Sequence, residues 1–462
     1  FAFFQQVALF ILGASLILTL VFTPWTLLIR DSLGLDAIPL VGDLLLLAPL
    51  MLSLLIIWTL LYPAEMRLHD ESFAESVERP DGAESIPAAN PSIPPKMNHA
   101  LAALNAAKGG RTGARDGLGC YLVDKIRHQV LLLAIPMSLI VLAKHLIYHY
   151  ADNLITLPSD MVTRGLILNA ALGTVSFCVL VLAPIMLRYT WATEPLPDGP
   201  LRDRFVATCG RIGLRYREIL LWHTHGMAVN AAVMGFVGPL RYILVSDALL
   251  ETLDEDEIEA VFGHEAGHVR HWHLPFFGVF AIVSMYIAGG IMWFMLYIDN
   301  RFVHKGIDEA TMQLVALAVL MLMWLFGFSW LSRKFERQAD LYGVRCITPD
   351  IKQCTTGCPI HGEDKAAGLC SSASHLFGRT LGKIADLNGI PREAPSWRHG
   401  SIESRCQLIE NLCFDPTALK AFDRKITRIK IGLVVSALVG SVIAVWLYYE
   451  PVMRELKKLG WF

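Results

Sequence analysis

His264, Glu265 and His268 carry the first chemistry in the chain, within Asp254 to His273, DEDEIEAVFGHEAGHVRHWH. Four positions on a helix make about one turn, so both imidazoles leave one face and can hold a single tetrahedral metal ion. Glu265 stands beside them. H-E-x-x-H on a helix is the arrangement in which that carboxylate takes a proton from metal-activated water during peptide hydrolysis. The whole stretch reads as one helix: Asp254 is a good N-cap, Glu257 follows three residues later, and Leu253 and Ile258 fill the staple positions of a capping box. Five letters in a chain with 15 histidines decide little, so the other ligand and its supports must come from elsewhere.

The sequence offers one specific candidate. SRKFERQADLYG places Glu336 and Asp340 four apart on one helical face. Two apolar runs of membrane-crossing length separate His268 from Glu336, so both emerge on the same side of a bilayer. Glu336 would complete a His2Glu set with the fourth position left for water, and Asp340 would accept the second ring N–H of a ligating histidine. The competing assignment is a surface ion pair of Glu336 with Arg333 or Arg337. Further on, SWRHGSIESRCQLIE holds His399 and Arg405. Either would suit a donor to the oxygen that gains charge in the transition state, and the residues alone leave that open. His271 and His273, like His223 and His225, read as exposed or interfacial, because three protein ligands suffice.

These residues need elements to position them, and composition says where. Of 462 residues, 54% are hydrophobic and 18% charged, with mean hydropathy +0.46, which is a membrane protein's balance. A net charge of −2 without a basic domain argues against a nucleic-acid partner. Seven apolar runs are expected to span: near 7 to 28, 38 to 62, 129 to 149, 166 to 188, 275 to 298, 310 to 331 and 430 to 449. The first lacks an A-x-A-like cleavage site and reads as a signal anchor. Lys and Arg crowd the segment between runs two and three, the segment after run four and the stretch before run seven. That bias places these segments, and the chemistry, in the cytoplasm.

Residues 63 to 128 read as a polar, flexible connector rich in Pro, Ala, Ser and Gly. EILLWHT, MAVNAAVMGF and LRYILVSDALL read as strands of a small sheet before the metal helix, either packed simply as core or offering an edge to an extended peptide. No G-x-x-x-x-G-K-[ST] loop supports an ATP-driven protease. The nine cysteines fall mostly on the reducing side, so no structural disulfide is expected. Cys346, Cys354, Cys358 and Cys370 cluster with His361 at a spacing that fits no standard zinc knuckle; free loop thiols are the preferred reading, a second metal site the other.

Taken together, these residues resemble the HtpX and CAAX prenyl protease group of integral-membrane zinc metallopeptidases. The likeness runs from about Arg211 to Ile409. It rests on NAAVMGF, on ILVSDALLETLDEDEIEAVFGHEAGH, on the ExxxD of SRKFERQAD, and on the His and Arg of RHGSIESR. It implies His264, His268 and Glu336 as zinc ligands, Glu265 as general base and Asp340 as their support. It also implies Asn230 as the substrate-strand residue, and His399 and Arg405 near the transition state. Gly400 stands where the family usually has Pro, and the insertion from Cys354 to Cys370 lies outside its pattern. Seven spans, one of them after the catalytic domain, are similar to the CAAX prenyl protease branch; the HtpX branch typically has about four.

The expected fold is an α-helical integral membrane protein with a cytoplasmic α+β, zincin-like metallopeptidase domain of the His2Glu (gluzincin) type carrying a small β-sheet. The expected division is a transmembrane hairpin (1–62), the connector (63–128), a second hairpin (129–188), the peptidase domain interrupted by two spans (189–429), and a C-terminal span with its tail (430–462). The expected function is zinc-dependent endopeptidase action, with one Zn2+ per chain, on membrane or membrane-associated polypeptides at the cytoplasmic face of a bacterial inner membrane. A non-catalytic receptor or scaffold retaining the zinc fold is the alternative. The intact Glu, His, His and distal Glu favour the enzyme. A transporter has less support, because intramembrane charges are few.

Overall fold

The computed structural model describes residues 23–34, 40–78, 117–154, 161–224, 229–303, 306–351, 354, 358–361 and 368–458. Two compact units emerge from the chain's own contacts: residues 1–194 with 222–229 and 387–390, and residues 195–221 with 230–386 and 391–462. Among the described residues, six helices are long and apolar enough to cross a membrane, three in each unit. The expected first span, 7 to 28, lies mainly outside the described residues.

The first unit is built on three long helices: α1 (Ala48–Glu78), α2 (Leu131–Leu154) and α3 (Met161–Thr190). Pro63, Pro136 and Pro184 sit inside them without ending them, as apolar membrane helices tolerate. A short helix, Leu118–Lys125, enters α2 through a π-helical turn at Ile126–Val130. It is tied to α1 by the Glu65 carboxylate, which accepts from the Tyr121 hydroxyl at 2.8 Å and pairs with Lys125 at 2.8 Å. The expected connector of 63 to 128 is thus entered by helix from both ends, because Pro63–Glu78 is rich in helix formers and its proline does not break the run. Residues 79–116 lie outside the described residues.

The second unit carries the candidate chemistry. Of the strands β1 (Thr193–Pro195), β2 (Glu218–Trp222), β3 (Ala231–Met234) and β4 (Tyr242–Ser246), the last three lie essentially in this unit, side by side in the order β2-β4-β3. β3 pairs antiparallel with β4, from Ala231 opposite Val245 to Met234 opposite Tyr242, and among the described residues no strand flanks its other side. The expected strand run LRYILVSDALL ends early. Ser246 accepts from the Leu249 N–H and starts helix α5 (Asp247–Thr252), a local cap that stops the strand. The break at Gly226, His225 and the start of MAVNAAVMGF lie outside the described residues.

Helix α4 (Pro200–Ile212) precedes the sheet, and α6 (Glu255–Arg270) follows it. Arg204, Thr208 and Arg211 of α4 all bond the buried Glu259 carboxylate of α6 at 2.7 Å. Next come α7 (His273–Ile298), α8 (Glu309–Leu322), α9 (Ser329–Ile347), α10 (Ser371–Leu387), α11 (Ile402–Cys413) and α12 (Pro416–Lys458). α8 passes through a π-helical turn at Met323–Phe328 into α9, so Glu336 stands on the extension of an apolar helix. α12 is one continuous helix that runs across the expected boundary at 429. A core of Ala260, Leu341, Val344, Phe377, Leu381, Ile409 and Leu412 joins α6, α9, α10 and α11.

α6 itself is shorter than the single helix expected for 254 to 273. Its capping box is present, with Asp254 and Glu257 each bonding the other's backbone N–H at 2.8 and 3.0 Å. It ends at Arg270, however: Trp272 takes φ 58°, and His273 opens the next helix. That left-handed residue changes the chain's direction between the two helices.

Candidate metal centre

α6 and α9 lie against each other at glycine-limited distance, and this contact assembles the site. A Cβ at Gly267 would meet the Ala339 Cα at 3.0 Å, and one at Gly263 the Cys346 Cβ at 2.9 Å. Each of these glycines directly precedes a histidine, so the ligand-bearing face is also the face of closest approach. The His264 and His268 Nε2 atoms are 3.2 Å apart. Glu336 Oε2 lies 3.5 Å from His264 Nε2, and Oε1 lies 3.6 Å from His268 Nε2.

These residues fit a zinc ion. Bonds of about 2.0–2.1 Å in a tetrahedron put neighbouring ligand atoms about 3.3 Å apart. Glu336 is 4% exposed, and its buried Oε2 has no hydrogen-bond partner, an arrangement that is costly unless a cation faces it. Burial opposes a charge on His264, yet Asp340 and Glu336 outweigh it and lift this imidazole to about 10. Burial, reinforced by the charge on His264, pushes His268 down to about 3.

Each histidine has a partner behind it. His264 Nδ1 is 2.9 Å from Asp340 Oδ1. Asp340, 1% exposed, is gripped by Arg405 at 2.9 and 2.5 Å. The Arg405 guanidinium also stands 3.8 Å from Glu336. On the other side, His268 Nδ1 is 3.0 Å from His273 Nδ1, and His273 Nε2 is 3.0 Å from Gln338 Oε1. Lys430 of α12 donates to that same oxygen at 2.9 Å and to the His271 carbonyl at 2.7 Å. His273 was expected to be exposed at a helix end or interfacial; it is 1% exposed and stacked on Phe335 with ring centres 4.3 Å apart. The left-handed Trp272 accounts for the difference, since it starts a new helix at His273. Gln338 and Lys430 carried no sequence signal; Gln338 shares the helix of Glu336, two positions away. His271 keeps a half-buried place beside His273, while His223 pairs with Glu194 in the first unit at 3.0 Å.

Glu265 follows His264 on α6, and the backbone N–H of Val233 in β3 bonds its carboxylate. Burial holds its pKa above the ordinary carboxylate range. This contact also fixes which edge of β3 is open. Asn230 and Ser246 bond each other through the Asn230 carbonyl and the Ser246 hydroxyl, both at 3.0 Å. By strand alternation, Ala231 and Val233 then turn their backbone groups away from β4, on the Glu265 side. The backbone of Asn230 is used by Ser246, and the residue is exposed at the strand's start.

His399 reaches the centre from a tight loop. Ser396 and Gly400 exchange two backbone hydrogen bonds, 3.2 and 3.0 Å, and Gly400 takes φ 78°. Proline is locked near −65° and has no N–H, so it fits neither requirement. The loop is anchored on α9 by the Ser329 hydroxyl, which donates to the Trp397 carbonyl at 2.8 Å. His399 Nδ1 thereby lies 3.0 Å from Glu336 Oε1, with nearly half of the side chain exposed.

Comparison with known proteins bears on the same region. Residues 213–356 match the model of peptidase family M48. The CAAX prenyl protease 1 homolog of Arabidopsis thaliana is 27% identical over 175 residues, 36% of this chain and 40% of that protein. The Protease HtpX homolog of Archaeoglobus fulgidus is 29% identical over 127 residues, 27% of this chain and 36% of that protein. The chain thus spans less than half the length of either. Protease HtpX of Xanthomonas axonopodis pv. citri is 28% identical over 206 residues, 41% of this chain and 68% of that protein. Among solved structures, S. mikatae Ste24p aligns over 78% of this chain and 86% of its own, with 15% identity and a TM-score of 0.43. His264, Glu265, His268, Glu336 and Asp340 all fall inside the stretch matched by the model of peptidase family M48, and over this region the chain is similar to the CAAX prenyl protease 1 and HtpX relatives.

Proposed function

We propose that the chain is a membrane-embedded zinc endopeptidase that hydrolyses peptide bonds of membrane or membrane-associated polypeptides at the cytoplasmic face. The carrying observation is the triad of buried His264 and Glu336 with half-buried His268, whose ligand atoms stand 3.2 to 3.6 Å apart with a carboxylate oxygen that makes no hydrogen bond among them. Zinc held there would supply the Lewis acid that polarises a scissile carbonyl and acidifies a water molecule.

The chain's own residues divide the remaining work. Glu265, raised by burial and adjacent to the ligands, receives the proton of the attacking water at its carboxylate and returns it to the departing amine. The outer edge of β3, through the backbone of Ala231 and the carbonyl of Val233, takes an extended polypeptide as an added strand, which gives main-chain binding tolerant of sequence. Asn230 at the head of that strand orients the same polypeptide. A cleft lined by Val233, Phe236, His268, Val269 and Trp272 accepts a side chain beside the ligands. His399, half-exposed at the rim, bonds the carbonyl oxygen as charge develops on it. Arg405 is committed to Asp340, so its work is to hold that carboxylate in place against His264.

The cytoplasmic assignment, in a bacterial inner membrane, rests on the Lys and Arg bias between the apolar runs. Membrane-associated substrates follow from a ligand helix that extends an apolar one. Purified protein in detergent or liposomes, given unfolded casein, tests the reading. Cleavage that stops with a chelator, returns with zinc and is absent in Glu265→Gln at unchanged zinc content supports it; full activity of Glu265→Gln removes it.

A further inference from the structure

A second group of metal-binding side chains lies outside the site just described. Cys354, Cys358, His361 and Cys370 come from the insertion between α9 and α10, and one ligand atom of each falls within 4.8 Å of all the others. Cys354 Sγ is 3.6 Å from Cys370 Sγ, and His361 Nδ1 is 3.5 Å from Cys370 Sγ and 3.8 Å from Cys358 Sγ. Zinc bonded to sulfur at about 2.3 Å and to nitrogen at about 2.0 Å sets tetrahedral edges of about 3.5–3.8 Å. All three observed distances fall in that range. We propose that these four residues form a structural Cys3His zinc site, closed by protein ligands and separate from the peptidase centre.

The surroundings are those of a thiolate site. All nine cysteines are free thiols, and the sulfurs of this group stand well beyond the roughly 2.05 Å of a disulfide. Cys358 and Cys370 are 1% and 0% exposed and belong to the apolar core that also contains Phe377 and Leu341. Backbone N–H groups of Ile360 and His361 bond the Cys358 sulfur, and those of Ser372 and Ala373 bond Cys354 and Cys370. The Ser372 hydroxyl donates to Cys354 at 3.2 Å. Such donors stabilise metal-bound thiolate. His361 is the exposed ligand, and it gives the ion a route in from solvent.

The clamp has an evident structural task. α9 brings Glu336 and Asp340; α10 brings Phe377 against the His264 ring and Lys383 to the Glu257 carboxylate at 2.8 Å. The segment joining the two helices contains all four ligands, so one ion would fix their connection. A closed tetrahedral set with no open position suits such a role rather than catalysis.

Zinc content and cobalt spectroscopy test the site without reference to proteolysis. Wild-type protein is expected to carry about two zinc ions per chain, and Cys354→Ser with Cys370→Ser about one. The His264→Ala, His268→Ala double variant is expected to keep about one ion. When its metal is replaced by cobalt, it should show the near-ultraviolet band of thiolate-to-cobalt charge transfer. The same band is expected in cobalt-loaded wild type, so the test stands even if a cysteine variant fails to fold. Equal zinc in wild type and the cysteine variant, or cobalt loading without a thiolate band, overturns the proposal. So does a Cys354–Cys370 disulfide found by mass spectrometry in protein purified under reducing conditions. Loss of peptidase activity alone bears only on the other centre.

Discussion

The Nδ1 atoms of His268 and His273 lie 3.0 Å apart, and the order of donors behind them fixes which nitrogen of His268 is bare. Gln338 Oε1 can only accept, and it already accepts from Lys430, so His273 Nε2 must carry the hydrogen. His273 Nδ1 is then an acceptor and His268 Nδ1 the donor, which leaves the lone pair of His268 Nε2 aimed at Glu336 and His264. His273→Phe keeps the stacking on Phe335 but loses the acceptor. Zinc affinity is expected to fall about 10- to 100-fold, measured by competition with a chromophoric chelator, while the circular dichroism spectrum is retained. Unchanged affinity would show that the relay does not orient His268.

The Arg405 pair leads to a different outcome. Arg405→Ala leaves Asp340 charged and buried beside His264, which costs about 3–5 kcal/mol and should lower the thermal midpoint and the zinc content together. A role confined to the transition state would instead lower kcat with zinc and melting temperature intact. The two measurements on one variant separate these assignments.

Much of this centre was legible in the sequence because it is written locally. The capping box of α6, the four-residue spacing of His264 and His268, and that of Glu336 and Asp340 each need only one helix. The two apolar runs expected between them are present as α7 and α8. His273 was misread because a helix continued through Trp272 would have carried it off the ligand face; the left-handed backbone there answers to tertiary packing. Gln338 and Lys430 meet only when α9 and α12 pack together, and no local pattern reports that. The cysteine insertion looked like loose thiols because its spacing matches no common knuckle, whereas the fold brings one ligand atom of each of the four residues within 4.8 Å of the others.

Close packing makes a further prediction. A Cβ at Gly343 would run into the Phe377 ring and come within 3.2 Å of the His264 backbone nitrogen. Both neighbours are held, one by the core and one by α6. Gly343→Ala is therefore expected to destabilise by about 1–3 kcal/mol and to weaken zinc retention, read from thermal melts with and without added zinc. An unaltered midpoint would mean that α6 and α9 can separate without cost to the site.

The loop of His399 depends on Gly400. Gly400→Pro removes the N–H that bonds the Ser396 carbonyl and excludes φ 78°, so the loop should open and withdraw His399 from Glu336. Casein cleavage is expected to drop by about tenfold or more with zinc content preserved, since no metal ligand moves. Full activity would take His399 out of the reaction.

The most direct test of the account is metal content paired with casein cleavage in wild type and Glu336→Ala. The account predicts that the variant holds about one zinc per chain fewer than wild type and cleaves nothing, because two histidines alone do not complete the site. Unreduced zinc in an active Glu336→Ala protein would contradict the assignment of Glu336 and, with it, the centre formed by α6 and α9.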